Sequence, residues 1–240
     1  MDMNLDNKTN KPRHIGIILD GNGRWALRQG KKRNYGHFIG AKIVFDIAKA
    51  AADIGIEYLS VYALSLENWK RPKAEIDYLL DLFKNSIDER IIYDNHVKFK
   101  VLGKLETLPQ NLVDYLHRLE HETEDATGMV FTICINYSSK WEMTDAFKSL
   151  SKYIKANNTD IEQITENDIN KFMPSYYLPE PDLIIRTGGE YRLSNFMLWQ
   201  ASYSELYFTD KLWPDFKKED LIAAIDFFQS RERRYGNVNI

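Results

Sequence analysis

At 240 residues, 44% hydrophobic and 28% charged, the chain has the size and composition of one large globular domain with a real core. A net charge of −3 argues against general nucleic-acid binding. The single cysteine, Cys134, leaves neither a disulfide framework nor a cysteine metal site. Residues 1–12 are polar and read as a disordered lead-in without the apolar core of a signal peptide. No stretch is apolar for the length of a membrane span, so the protein is expected in the cytoplasm.

Residues 13–240 read as one domain. The apolar run 15–19 predicts a short buried strand that ends at Asp20, with Gly21-Asn22-Gly23-Arg24 directly after it. Residues 25–29 read as the first turns of a helix. A glycine-rich strand-to-helix turn offers backbone N–H groups and the positive end of a helix dipole, which together suit a phosphate. Arg24, Arg28, Lys31, Lys32, Arg33 and His37 follow, with no acidic residue between Asp20 and Asp46. One carboxylate beside N–H groups and cations is what a magnesium diphosphate needs.

Ile39, Ile43, Ile47 and Ala51 recur at helical spacing over 38–54, and Gly55 is a plausible stop. A β-type run, 58–64, delivers the polar loop from Ser65 to Pro72. Residues 73–94 predict one amphipathic helix, with Ile76, Leu79, Leu80, Phe83 and Ile87 on one side. Strands are expected at 97–102 and 129–136, and helices at 108–127 and 141–154. A proline-dotted connection, 157–181, carries one short helix near 166–172. A strand at 183–185 leads into Arg186-Thr187-Gly188-Gly189-Glu190; 196–199 and 205–208 read as short β-like runs, and 220–231 as a last helix.

Strands alternating with helices predict an α/β domain around a mainly parallel sheet covered on both faces. Ligands of such sheets sit beyond the carboxyl ends of the strands. Asp20, Ser65, Asn136 and Arg186 each follow a predicted strand, so they should converge on one edge. Arg186, Arg192 and Ser194 around paired glycines make a second anion site, because a guanidinium fork matches diphosphate oxygens.

Taken together, these segments resemble the cis-prenyltransferases, the Z-polyprenyl diphosphate synthases. The motifs that carry the resemblance are 14–37, Ser65-Leu66-Glu67-Asn68-Trp69-Lys70-Arg71-Pro72, 186–196, Trp199-Gln200, Glu205-Leu206-Tyr207-Phe208 and 231–236. The Asp-Asp-x-x-Asp pair of the trans class is missing. The resemblance implies a domain with an elongated hydrophobic tunnel and condensation of isopentenyl diphosphate onto farnesyl diphosphate. The implied product is undecaprenyl diphosphate, the precursor of a cell-wall lipid carrier.

It also implies roles. Asp20 and Asn68 would be catalytic, and Gly21, Asn22, Gly23, Arg24, Trp25, Arg33 and His37 would hold the allylic diphosphate. Ser65, Asn68, Trp69, Arg71, Arg186, Arg192 and Ser194 would take isopentenyl diphosphate, with Arg234 and Gly236 reaching across a homodimer. Asp20 and Glu205 would bind Mg2+. Ala63, Leu79, Phe83, Ile87 and Met129 would line the tunnel, and the lipid product would allow peripheral membrane contact. Three departures stand out: Leu66 in place of a small polar residue, Tyr191 where bacterial members often have His, and Ser138-Ser139-Lys140 where many have Gly-Gly-Arg. A Gly pair needing positive φ would make the serines strained. The alternatives are a shorter-chain Z-synthase, a polyprenyl-diphosphate-binding subunit without catalysis, and a magnesium phosphohydrolase, whose second acid is replaced here by Asn22.

Overall fold

Six strands pair in the order β3-β4-β2-β1-β5-β6, every neighbour parallel. They are β1 (His14–Ile18), β2 (Tyr58–Ser65), β3 (Lys98–Leu102), β4 (Val130–Tyr137), β5 (Leu183–Arg186) and β6 (Glu205–Phe208). The computed structural model describes residues 11–232, so most of the expected lead-in lies outside the described residues. Lys11 donates to the Ile54 carbonyl at 2.9 Å and Pro12 is buried, so the fold is engaged by residue 11.

The register explains why the inner strands are almost continuously apolar. Ile15, Leu59, Phe131 and Phe99 form one row across the sheet, and Ile17, Val61, Ile133 and Val101 the next. These rows face the larger core, which is closed by α2 (Arg33–Ile54), α3 (Lys73–Ser86), α5 (Gln110–Glu122) and α8 (Lys218–Gln229). The alternate positions Ile18, Tyr62, Cys134 and Ile184 face a smaller core with Phe196 and Met197. Both faces are covered, so successive residues of one strand are buried on opposite sides. Each fully buried aliphatic side chain contributes roughly 1.5–3 kcal/mol.

Where structure and sequence reading differ, a local hydrogen bond decides. The single helix expected over 73–94 is two, α3 and α4 (Glu89–Asp94), broken at Ile87. Asp88 caps α4 by accepting the Arg90 N–H at 3.2 Å, a cue that apolar spacing does not carry. The α5 helix stops at Glu122 because the Thr123 hydroxyl donates back to Leu119 O at 2.8 Å and accepts the Phe99 N–H at 3.0 Å. Residues 196–199 form no strand. A turn with positive φ at Ser194 (47°), Asn195 (66°) and Met197 (45°) drops Phe196 and Met197 into the smaller core.

The serine pair is unstrained. Ser138 is extended (φ −154°) and caps α6 (Ser139–Asn157) through the Trp141 N–H, and the Ser139 hydroxyl accepts the Leu198 N–H at 3.0 Å. The left-handed residue of this segment is Asn136, at φ 52°. It belongs to a pair of irregularities. Tyr62 pairs with Cys134, Leu64 with Ile135 and Ser65 with Tyr137, so Ala63 on β2 and Asn136 on β4 are both left out of the ladder.

Candidate active site

The chain leaves β1 towards β2 on one side and later returns to β5 on the other, so the order reverses between β1 and β5. The carboxyl ends of strands flanking such a reversal open a crevice that ligands use. Here Asp20 follows β1 and Thr187 follows β5, and they are bonded to each other. The Asp20 N–H donates to Thr187 Oγ1 at 3.0 Å, and that hydroxyl donates to the Asp20 carbonyl at 2.7 Å. The carboxylate of Asp20 bridges two arginines, accepting from Arg24 at 3.1 Å and from Arg186 at 2.9 Å.

Arg186 is the buried cation of the site, 4% exposed. Besides Asp20 it donates to Ser194 Oγ at 2.7 Å and to the Arg192 carbonyl, and its Nε has no protein partner. Glu190 pairs with Arg192 and lies 3.8 Å from Arg24. Two carboxylates thus hold three arginines together, an arrangement in which an incoming anion competes for cations already gathered.

The turn from Asp20 leads into α1 (Asn22–Arg28), which starts at Gly21 with no side-chain cap and no acid in its first turn. A Cβ on Gly23 would come 2.7 Å from Arg33 Cζ, so glycine lets that guanidinium lie against the turn. A Cβ on Gly36 would come 1.9 Å from the Asn22 carbonyl, so α2 packs directly on the start of α1. His37, one residue on, is part-buried, and its buried Nε2 has no hydrogen-bond partner. Burial first, and then the charges of Arg71 and Arg33, push its pKa down to about 4 against the opposing pull of Glu75. The imidazole is neutral at pH 7.

After β2 the chain makes a 3-10 turn over Leu66–Lys70, in which the Ser65 N–H donates to Asn68 Oδ1 at 3.1 Å. Arg71, closing the loop, pairs with Glu75 at 3.2 Å. Asp20, Asn22, His37, Ser65, Asn68, Arg71, Arg186, Arg192 and Ser194 all reach one cavity of about 400 Å³. Its inner wall is apolar: Val61 and Ala63 from β2, Ile133 and Ile135 from β4, and Leu79, Phe83 and Ile87 from α3 and its end. A polar mouth over an apolar pocket suits a molecule with an anionic head and a hydrocarbon tail.

Several expected residues stand elsewhere. Met129 is packed in the main core just before β4, at the amino edge of the sheet, and is no part of the cavity wall. Trp25 donates to Asp215 at 2.7 Å and stacks on Tyr35, and Trp69 donates to Asn136 Oδ1; neither indole lines the cavity. Glu205 opens β6 in register with Leu183 and, through it, Ile15. Asp20 lies five residues beyond Ile15, roughly 16 Å along the strands at about 3.3 Å per residue. Within one chain the two carboxylates therefore do not share an ion, and Glu205 pairs with Arg231 at 3.4 Å. Arg234 and Gly236 lie outside the described residues. Thr187 and Asn136 stand at strand ends within or beside the motifs, and their hydrogen bonds to Asp20 and to Trp69 and Lys104 show that they hold the site's segments together.

A family described as "Putative undecaprenyl diphosphate synthase" matches residues 18–236, nearly the whole chain. The chain belongs to this cis-prenyltransferase family. It is a prenyl-transferring enzyme by that membership, and its relatives agree. An isoprenyl transferase of Halalkalibacterium halodurans is 44% identical over 95% of this chain and 90% of its own length. A ditrans,polycis-undecaprenyl-diphosphate synthase, (2E,6E)-farnesyl-diphosphate specific, from Buchnera aphidicola is 44% identical over 95% of this chain and 92% of its own. Among solved structures, lavandulyl diphosphate synthase from Lavandula x intermedia, in complex with dimethylallyl diphosphate, superposes with a TM-score of 0.91 at 30% identity, covering 95% and 99% of the two chains. A probable undecaprenyl diphosphate synthase from Campylobacter jejuni gives 0.77 at 28% identity over 95% and 100%. The all-parallel sheet described above is the fold this prenyltransferase shares with them.

Proposed function

We propose that this prenyltransferase joins isopentenyl diphosphate to farnesyl diphosphate and repeats the addition to undecaprenyl diphosphate, a precursor for a cell-wall lipid carrier. The observation that carries the reading is that Arg186 and Arg192 after β5 meet Asp20, which also holds Arg24, after β1 at the mouth of a single apolar cavity.

In this reading Arg24, Arg33 and the N–H groups at 21–24 hold the allylic diphosphate, and its hydrocarbon tail enters the cavity between α3 and the sheet, which serves as the elongation tunnel. Arg186, Arg192 and Ser194 hold isopentenyl diphosphate, while Ser65, Asn68 and Arg71 orient it. The isopentenyl double bond attacks C1 of the allylic partner, the C1–O bond breaks with its electrons leaving on diphosphate, and loss of an isopentenyl proton leaves a new Z double bond. Fixed cations at the departing diphosphate supply the main stabilisation of the transition state. Neutral His37 donates or accepts a hydrogen bond there without adding charge.

The donor set fits Mg2+ carried in by substrate. No cluster of three metal-ligating side chains exists among the described residues, and a hard octahedral ion needs only one or two carboxylates when diphosphate and water complete its shell. Asp20 would hold it, and the ion would neutralise charge on the leaving diphosphate. Glu205 could contribute only from a second copy, in keeping with a homodimer whose tails bring Arg234 and Gly236 to the partner's site. No helix among the described residues is long and apolar enough to cross a membrane, which fits a cytoplasmic enzyme that meets the bilayer through its product.

The test is incubation of the purified chain with farnesyl diphosphate, labelled isopentenyl diphosphate and Mg2+, with products separated by length. A ladder ending at undecaprenyl diphosphate, abolished by a chelator, supports the reading. A ladder that stops early makes the enzyme a shorter-chain Z-synthase, and no incorporation at all would overturn the reaction.

A further inference from the structure

Asn195 carries no role so far, yet it sits where three strand-end segments meet. It follows Ser194 in a turn where both residues have positive φ, 47° and 66°. Left-handed backbone costs a residue with a Cβ about 1–2 kcal/mol, so two in succession require contacts that hold them there. Asn195 supplies three, all distant in sequence. Its Nδ2 donates to Glu67 Oε1 at 2.7 Å, in the turn after β2. Its Oδ1 accepts the Lys140 N–H at 3.0 Å, and its carbonyl accepts the Ser139 N–H at 2.8 Å, both at the start of α6 after β4.

Those two N–H groups are among the donors that a helix cannot satisfy internally. The third, at Trp141, is taken by Ser138 Oγ. The positive end of α6 is therefore spent on holding Asn195. What Asn195 fixes in turn is Ser194, whose hydroxyl lies 2.7 Å from the Arg186 guanidinium. A second depression beside the main cavity is lined by Glu67, Lys140 and Asn195 and shares Ser65, Asn68 and Ser194 with it. None of the three contacts goes to Arg24, Arg33 or His37, on the allylic side.

We propose that Asn195 is a positioning residue for the isopentenyl end of the reaction, tying the segments after β2, β4 and β5 into one wall so that Ser194 and Arg186 meet the same diphosphate as Ser65 and Asn68. This rests on the proposed reaction and makes a claim of its own: the effect is selective for one of the two substrates.

The variants Asn195→Ala, Asn195→Asp and Asn195→Asp/Glu67→Gln decide it, with steady-state KM and kcat measured for each substrate and thermal unfolding alongside. Losing a hydrogen bond to a charged acceptor should raise KM for isopentenyl diphosphate about tenfold in Asn195→Ala, with KM for farnesyl diphosphate within about twofold of normal. Asn195→Asp keeps an acceptor for the Lys140 N–H but sets two carboxylates against each other, and should be at least as impaired. Adding Glu67→Gln restores a donor–acceptor pair with the roles exchanged, and should recover most of the lost KM. An unchanged isopentenyl KM, a parallel rise in both KM values, or no recovery in the exchanged pair would overturn the proposal. If Asn195→Ala does not fold, the aspartate variant and the exchanged pair still decide. A wild-type chain that joins no isopentenyl unit defeats the reaction itself, a result distinct from any of these.

Discussion

Thr187→Val removes one oxygen from the point where β1 and β5 are latched at their carboxyl ends. Thr187 is fully buried, and the valine side chain fills nearly the same space, so little of the effect comes from volume. The lost hydroxyl accepts the Asp20 N–H at 3.0 Å and donates to the Asp20 carbonyl at 2.7 Å. The carbonyl keeps a partner, because it also accepts the Trp213 N–H at 3.0 Å. So does the N–H, which also donates to the Ile18 carbonyl at 3.0 Å. With no backbone group stranded, the cost is that of the two lost hydrogen bonds alone, about 1–2 kcal/mol. For a domain of this size that lowers Tm by roughly 2–8 °C, at about 2–4 °C per kcal/mol. Asp20 is the carboxylate between Arg24 and Arg186, so its displacement should also lower kcat by about tenfold or more. Thermal unfolding and steady-state turnover measured on Thr187→Val and Thr187→Ser check both, and the serine, which keeps the hydroxyl, should recover most of each. A valine variant with wild-type Tm and kcat would refute the view that this hydroxyl sets Asp20.

Three further outcomes are expected. Gly36→Ala places a Cβ 1.9 Å from the Asn22 carbonyl and must push α1 off α2; calorimetry should show about 1–3 kcal/mol lost, and isothermal titration weaker binding of farnesyl diphosphate. Phe83→Ala removes a ring from the cavity wall, so the product ladder should shift to longer chains, and an unchanged ladder would exclude the ring as a limit on length. His14 is fully buried between Pro179 O and Ser60 Oγ, and burial lowers its pKa to about 4, as it does for His37. A base with a depressed folded pKa binds fewer protons folded than unfolded. Full stability therefore holds above about pH 6.5 and is lost as pH falls from there to about 4, by about 3 kcal/mol for each histidine. Urea denaturation across that window should show the decline, and His14→Asn should flatten part of it.

The parallel sheet was readable because a strand buried on both faces is an apolar run of the right length, and 58–64, 129–136 and 183–185 are such runs. Convergence of the site was readable for the same reason: Asp20, Ser65 and Arg186 each follow a strand, and parallel strands all end on one edge. What stayed hidden depends on direction and on single hydrogen bonds. The break at Ile87 comes from the cap at Asp88, inside a stretch whose apolar spacing continues unbroken. The rings of Trp25 and Trp69 belong to motifs, but a motif does not say which side of its turn a side chain faces. Glu205 precedes its strand's body and Asp20 follows one, so shared motif membership says nothing of the distance between them. Met129 fails for a related reason, since three residues of β4 separate it from Ile133, the first residue of that strand to reach the cavity.

The two unpaired residues near the strand ends, Ala63 and Asn136, lead to one further consequence. Tyr62–Cys134 and Ser65–Tyr137 have the same offset, so each irregularity cancels the other. Shortening β2 alone at Ala63 would turn Ser65 and all that follows it to the wrong side, and shortening β4 alone at Asn136 would do the same to the start of α6. Removing both would leave an intact ladder and a normal core while deleting a cavity-wall residue and the amide that holds Trp69, Lys104 and Thr107. The chain could thus lose its chemistry and keep its fold, but only by two deletions at once, and any single step between those states is penalised by the sheet itself.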